Sequence, residues 1–295
     1  MKKSMRYISL ALCLIAVLSF TLYGCAGIYG LPNEDYRGGE IITDGENTIA
    51  SGTDGENGES GAGGEIGKSE VGQNSEPQKA ESAAAKYIRA KVSSLSIRSA
   101  ASASSTALGT LDKGDMVCYL SIEGGFYKTY YKNKTAYVSR NPAYTEIVEL
   151  APSENQKVED VIDIGLKLLG TPYVYGAVRL HNGKGVLLSG FSTGKFDCSS
   201  LMQYMFYKGA SVNLDTTTRT QIKQGTYVAK ANIARGDLLF FTNASRKNNT
   251  GIERVGHVAL YLGENYILHT ASDHAVIEQI SSVRWSYYIE ARRII

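Results

Sequence analysis

The chain has 295 residues, 43% of them hydrophobic and 20% charged, with a formal net charge of +2 and four cysteines. So much apolar sequence supports two modest folded domains and excludes both a wholly disordered chain and a disulfide-built scaffold. The charge is unevenly spread: residues 38–80 hold nine acids against two bases, whereas residues 81–295 hold 25 Lys/Arg against 18 Asp/Glu. A basic folded part suits an anionic surface such as a cell wall or a membrane. Its basic residues are too scattered for a nucleic-acid module, so no nucleic-acid partner is expected.

Residues 1–24 read as a leader. Met1-Lys2-Lys3-Ser4-Met5-Arg6 is basic, and Tyr7 to Leu22 is almost wholly apolar but short for a membrane span. The leader ends in Leu22-Tyr23-Gly24-Cys25, which resembles a bacterial lipobox. That resemblance implies cleavage before Cys25 and a lipid on its sulfur, holding the mature chain on the outer face of the plasma membrane. An ordinary signal peptide or an uncleaved anchor is the alternative. Residues 25–82 are rich in Gly, Glu and Ser with little apolar periodicity, and are expected to be a flexible spacer.

Residues 83–150 change character. Short alternating runs, Leu95 to Ser99, Leu108 to Leu111, Met116 to Leu120, Phe126 to Tyr131 and Thr135 to Ser139, are broken by turn residues at near-regular spacing. The pattern predicts a small all-β barrel. The Leu95-Ser96-Ile97-Arg98-Ser99 run, the stretch 108–115 and the Phe126 and Ala136 strands resemble the bacterial SH3-like domain. That resemblance implies a module that binds wall or orients substrate. Phe126, Tyr127, Tyr130 and Tyr137 are expected mostly in its core, with one or two facing a ligand.

Residues 151–295 begin with a linker at Ala151-Pro152. Ser153 and Gln156 have capping-box spacing, and Val158, Val161, Ile162, Gly165 and Leu169 share one helical face that Gly170 can close. A loop from Ala177 to Lys195 follows. A second helix is expected from Cys198 to Lys208, with Gly209 as its stop. Strands are expected at Asp237 to Phe241, His257 to Leu262, Tyr266 to Thr270, Val276 to Ile280 and Ala291 to Ile295. Helices followed by a run of strands predict an α+β domain.

The chemistry concentrates on Cys198, His257 and His269. A thiol at a helix N-terminus feels the positive end of the helix dipole, which favours thiolate. An imidazole can take its proton, and a third polar group can hold that imidazole in the useful tautomer. Cys118 lies in the other domain and pairs with nothing obvious. No spacing of ligands reads as a metal site, and neither a metal nor another cofactor is expected. His181 and His274 fit no motif and are expected at the surface.

Gly170-Thr171-Pro172-Tyr173, Phe196-Asp197-Cys198-Ser199, Ala234-Arg235-Gly236-Asp237, Gly256-His257-Val258-Ala259, Ile267-Leu268-His269-Thr270-Ala271 and the closing Ala291-Arg292-Arg293-Ile294 together resemble the NlpC family of cell-wall cysteine peptidases, which have a papain-like core. The resemblance implies Cys198 as nucleophile, His257 as base and then acid, and His269 as its orienter. It implies the Tyr173 hydroxyl and the Cys198 N–H at the oxyanion, with Asp197 and Ser199 on the substrate. The implied substrate is the peptidoglycan stem peptide, cut between D-γ-glutamate and the diamino acid, by a monomer. An amidase acting at the muramyl–L-alanine bond and a non-catalytic wall-binding lipoprotein are the alternatives. Three features depart from the family pattern: Ser200 in place of Gly, Asp215-Thr216 in place of Pro-Arg, and a loop that puts Tyr173 25 positions before Cys198. The barrel is expected to join the second domain through the short segment around Ala151-Pro152, so that it can sit against the cleft, and deleting residues 83–148 is expected to weaken activity on intact walls or alter specificity while leaving the triad assembled.

Overall fold

A computed structural model describes residues 84–270 and 273–295. The leader, Cys25, the acidic spacer and Ala271 of the His269 motif lie outside these described residues. In chain order the elements are β1 (Ala85–Ala90), β2 (Leu95–Arg98), β3 (Ala107–Leu111), β4 (Met116–Cys118), β5 (Ser121–Glu123), β6 (Phe126–Tyr131), β7 (Lys134–Ser139), β8 (Thr145–Leu150), α1 (Gln156–Leu168) and α2 (Cys198–Ala210). There follow α3 (Thr218–Gln221), β9 (Thr226–Val228), β10 (Leu238–Phe241), β11 (His257–Gly263), β12 (Tyr266–Thr270), β13 (Ala275–Gln279), α4 (Ser282–Ser286) and β14 (Tyr288–Arg293). Strands and helices thus combine in the α+β class expected.

The strands form two antiparallel sheets. One has the order β3-β2-β7-β6-β5, and the other runs β8-β1-β4-β13-β12-β11-β10-β14-β9. The second sheet crosses from the N-terminal barrel into the C-terminal domain through the bridge between Met116 and Ile277. The two halves are therefore joined by more than the chain at Ala151-Pro152. Arg89 donates to the Tyr266 hydroxyl at 2.6 Å, and Arg235 donates to the Tyr87 hydroxyl at 2.9 Å while pairing with Glu159 at 2.7 Å. Tyr131 packs on Gly170, where any Cβ would meet its ring. The barrel aromatics expected in the core, Phe126, Tyr127, Tyr130 and Tyr137, are only half-buried, whereas Tyr87 and Tyr131 are fully buried. Tyr131 is covered because it lies under the second domain as well as in the barrel.

Turns set the registers. Lys132 and Asn133 have φ of 52° and 58°, the left-handed pair of a two-residue hairpin between β6 and β7. Glu264 and Asn265, with φ of 47° and 66°, do the same between β11 and β12. That turn is pinned: Asn265 donates to the Ile280 carbonyl at 3.0 Å and accepts from the Trp285 indole at 2.7 Å.

Helix ends differ from expectation in two places. The N-cap of α1 is Asn155, whose side chain accepts from the Lys157 amide, because Ser153 is occupied: its hydroxyl caps Asn155 and its amide goes to Glu159. Gly209 does not stop α2. It lies inside the helix against the Val161 backbone of α1, where a Cβ would come within 2.5 Å of Val161 Cα. The stop is Ser211, which takes the left-handed conformation at φ 57°.

Candidate active site

Cys198 is the first residue of α2 and is 2% exposed. Asp197 caps this helix: its Oδ1 accepts from the Ser200 amide at 2.8 Å, and the Ser200 hydroxyl accepts from the Asp197 amide at 2.9 Å. Ser200, where the resembled motif has Gly, thus completes a reciprocal cap. The cap fixes the helix end, so the thiol sits where the dipole favours its anion. Helix α2 packs against β11 and β12, the strands that carry the two histidines.

His257 opens β11 and is 6% exposed; His269 on β12 is 0% exposed. The structure brings these two together, with His257 Nε2 2.9 Å from His269 Nδ1 and the rings edge-on. His269 Nε2 in turn lies 3.1 Å from Glu278 Oε1 on β13. Arg284 of α4 donates to the same oxygen at 3.0 Å. The register Ile267↔Glu278 and His269↔Val276 puts Glu278 beside His269 on one face of the sheet.

Electrostatics follow from burial. Burial holds His257 well below the ordinary imidazole range, helped by His269 and Arg284. His269 is also lowered, by burial and by Arg284, with Glu278 opposing. Burial alone would raise Glu278, but the hydrogen bond from His269 and the Arg284 guanidinium hold it at about 2. Burial thus disfavours charge on either ring, and the pair ends on a carboxylate.

The other expected site residues fall close by. Tyr173 bridges to Phe196, two residues before the thiol, and its amide donates to the Asp273 carbonyl at 2.7 Å. The Val174 amide donates to the Phe196 carbonyl and the Phe196 amide to the Pro172 carbonyl. The long loop is thus zipped at its base, so its length does not carry Tyr173 away from Cys198. Asp197 and Ser199 are both 3% exposed, and their side chains are engaged within the protein. Asp197 pairs with Arg179 at 2.8 Å, and Arg179 also donates to the Ser199 hydroxyl at 2.9 Å.

Sequence reasoning missed Arg179 and Glu278. Arg179 sits in the extra loop with no motif around it. Glu278 had one available signal: it follows Val276 at strand spacing, on a run that could pair with the His269 strand. His181 corrects the sequence reading. It is completely buried, because the loop folds back on α2: the Gln203 side chain bonds both the His181 amide and its carbonyl, and the Tyr207 ring packs tilted against the imidazole with centroids 5.1 Å apart. His274 is part-exposed and bonds Asp273 at 2.6 Å.

Comparison with known proteins falls on the same two parts. Residues 170–293 match the model of the NlpC/P60 family, and residues 93–142 match that of the bacterial SH3 domain. The chain is 33% identical over 132 residues to peptidoglycan endopeptidase RipA of Mycolicibacterium smegmatis, covering 44% of this chain and 24% of that protein. It is 28% identical over 158 residues to gamma-D-glutamyl-L-lysine dipeptidyl-peptidase of Bacillus subtilis, covering 54% of this chain and 47% of that protein. The chain thus spans a quarter to about a half of the length of these curated relatives. An NlpC/P60 family protein from Bacillus cereus of known crystal structure is 21% identical, with a TM-score of 0.37 over 71% of this chain and 63% of that one.

Proposed function

From a chain that carries an NlpC/P60 domain over residues 170–293 and a bacterial SH3 domain over residues 93–142, we propose a peptidoglycan hydrolase that works as a cysteine endopeptidase. It cuts the stem peptide between D-γ-glutamate and the diamino acid. The observation that supports this most is the buried His257–His269 pair on strands packed against the helix that Cys198 opens.

In this reading His257 Nε2 is engaged by His269, which leaves Nδ1 to take the proton of Cys198. The thiolate attacks the scissile carbonyl carbon, and the oxygen takes the negative charge. The Cys198 amide and the Tyr173 hydroxyl donate to that oxyanion. Collapse breaks the C–N bond as His257 passes its proton to the leaving amine. A water, deprotonated by His257, then attacks the thioester and releases the carboxylate and the thiol. Asp197 and Ser199, held together by Arg179, line the stem-peptide side.

Residues 151–295 are the catalytic unit in this account and residues 83–150 the substrate-orienting one. Residues 1–24 are a leader, and a lipid on Cys25 ahead of the 25–82 spacer holds the enzyme outside the membrane, facing the wall. Product analysis on purified muropeptides by mass spectrometry tests the reaction. Release of fragments ending in D-γ-glutamate is expected. Fragments freed at the muramyl–L-alanine bond would make it an amidase, and intact muropeptides would leave only binding.

A further inference from the structure

Glu278 belongs to no expected part of the reaction, yet it ends the chain of hydrogen bonds that begins at His257. An ionised carboxylate can only accept. With Arg284 and His269 both directed at Oε1, His269 must carry its proton on Nε2. A neutral His269 then has a bare Nδ1, which accepts from His257 Nε2–H across 2.9 Å. A neutral His257 in turn has its lone pair on Nδ1. One carboxylate thus sets the tautomers of two rings in series. Without it, His269 is free to carry its proton on Nδ1 and donate to His257. That would put the His257 proton on Nδ1 and remove the base.

We propose that Glu278, held by Arg284, is a positioning residue that fixes both histidines in the base-competent tautomers and stabilises the imidazolium when His257 takes a proton. The inference rests on the cysteine-peptidase reading of the same site. The groups facing this carboxylate are His269 from β12, Arg284 from α4 and, at longer range, Asp115 from the turn before β4. His257 and His274 act on it through His269. The negative charge favours the imidazolium, so its removal destabilises the thiolate–imidazolium pair and lowers the pH at which the imidazolium deprotonates.

The test is Glu278→Gln in the full chain, with two readouts across pH: muropeptide turnover, and iodoacetamide alkylation of Cys198 followed by peptide mass mapping. Turnover is expected to fall roughly 10- to 100-fold, short of the loss from a wrong tautomer beside the base itself. Its alkaline limb is expected to move to lower pH, and alkylation of Cys198 near pH 6.5 to slow. Glu278→Asp keeps the charge and is expected to recover part of both. Wild-type pH profiles in Glu278→Gln, or a uniform loss across pH that Glu278→Asp does not repair, would overturn the positioning role while leaving the peptidase reading intact. A wild-type protein that neither cuts muropeptides nor alkylates at Cys198 below neutral pH would overturn both.

Discussion

At the scale of single residues, the site depends on where protons sit. His269→Ala removes the acceptor of His257 and should cost roughly 100-fold or more in kcat, whereas His269→Asn keeps a neutral acceptor and should cost less. Equal activity of both variants and wild type, measured on muropeptides, would make His269 structural. At longer range from Glu278, Asp115 carries a cost. Burial is the main cause that raises its carboxyl to about 6, with Glu278 and Asp112 adding to it. A carboxyl raised in the folded state binds its proton more tightly there than in the unfolded chain. Stability is therefore highest below about pH 4, falls as pH rises through about 6, and stays lower above. A carboxyl moved from its ordinary range to about 6 corresponds to about 3 kcal/mol, reduced to roughly 1–2 kcal/mol because Asp115 is partly exposed. Asp115→Asn keeps an acceptor for the Asp112 amide. It should raise Tm by a few degrees at pH 7.5 and leave it unchanged at pH 4, as thermal unfolding at the two pH values would show.

At the scale of elements, the two helices meet closely because Gly209 has no side chain. Gly209→Ala would drive a Cβ into the Val161 backbone, which cannot rotate aside. A loss of roughly 1–3 kcal/mol is expected by denaturant unfolding, and an unchanged midpoint would contradict this packing. The same glycine shows where sequence reading stops. Apolar periodicity made α1, α2, β11 and β12 legible, and with them the places of Cys198 at a helix start and of His257 and His269 on strands, because local pattern reports which face is covered. It could not tell a glycine that ends a helix from one that lets another helix approach, since that depends on Val161, 48 positions earlier. His181 was misread for the same reason: Gln203 and Tyr207 bury it from another element. Glu278 needed the β12–β13 register, which only the folded sheet supplies.

At the scale of the molecule, the barrel and the site-bearing domain share one sheet, and this revises the effect of separating them. Cutting at Ala151 would leave β13 without its Met116 neighbour, and Arg235 and Tyr266 without Tyr87 and Arg89. A chain of residues 151–295 alone should unfold well below the full protein or fail to stay soluble. Cooperative unfolding at the full protein's Tm would show the barrel to be a separable attachment. The proposal that Cys198 is the nucleophile and His257 its base is tested most directly by muropeptide turnover of folded Cys198→Ala beside wild type, with Tm measured on both. Turnover is expected to disappear while Tm stays within a few degrees of wild type. Near-normal turnover by the folded variant would contradict it.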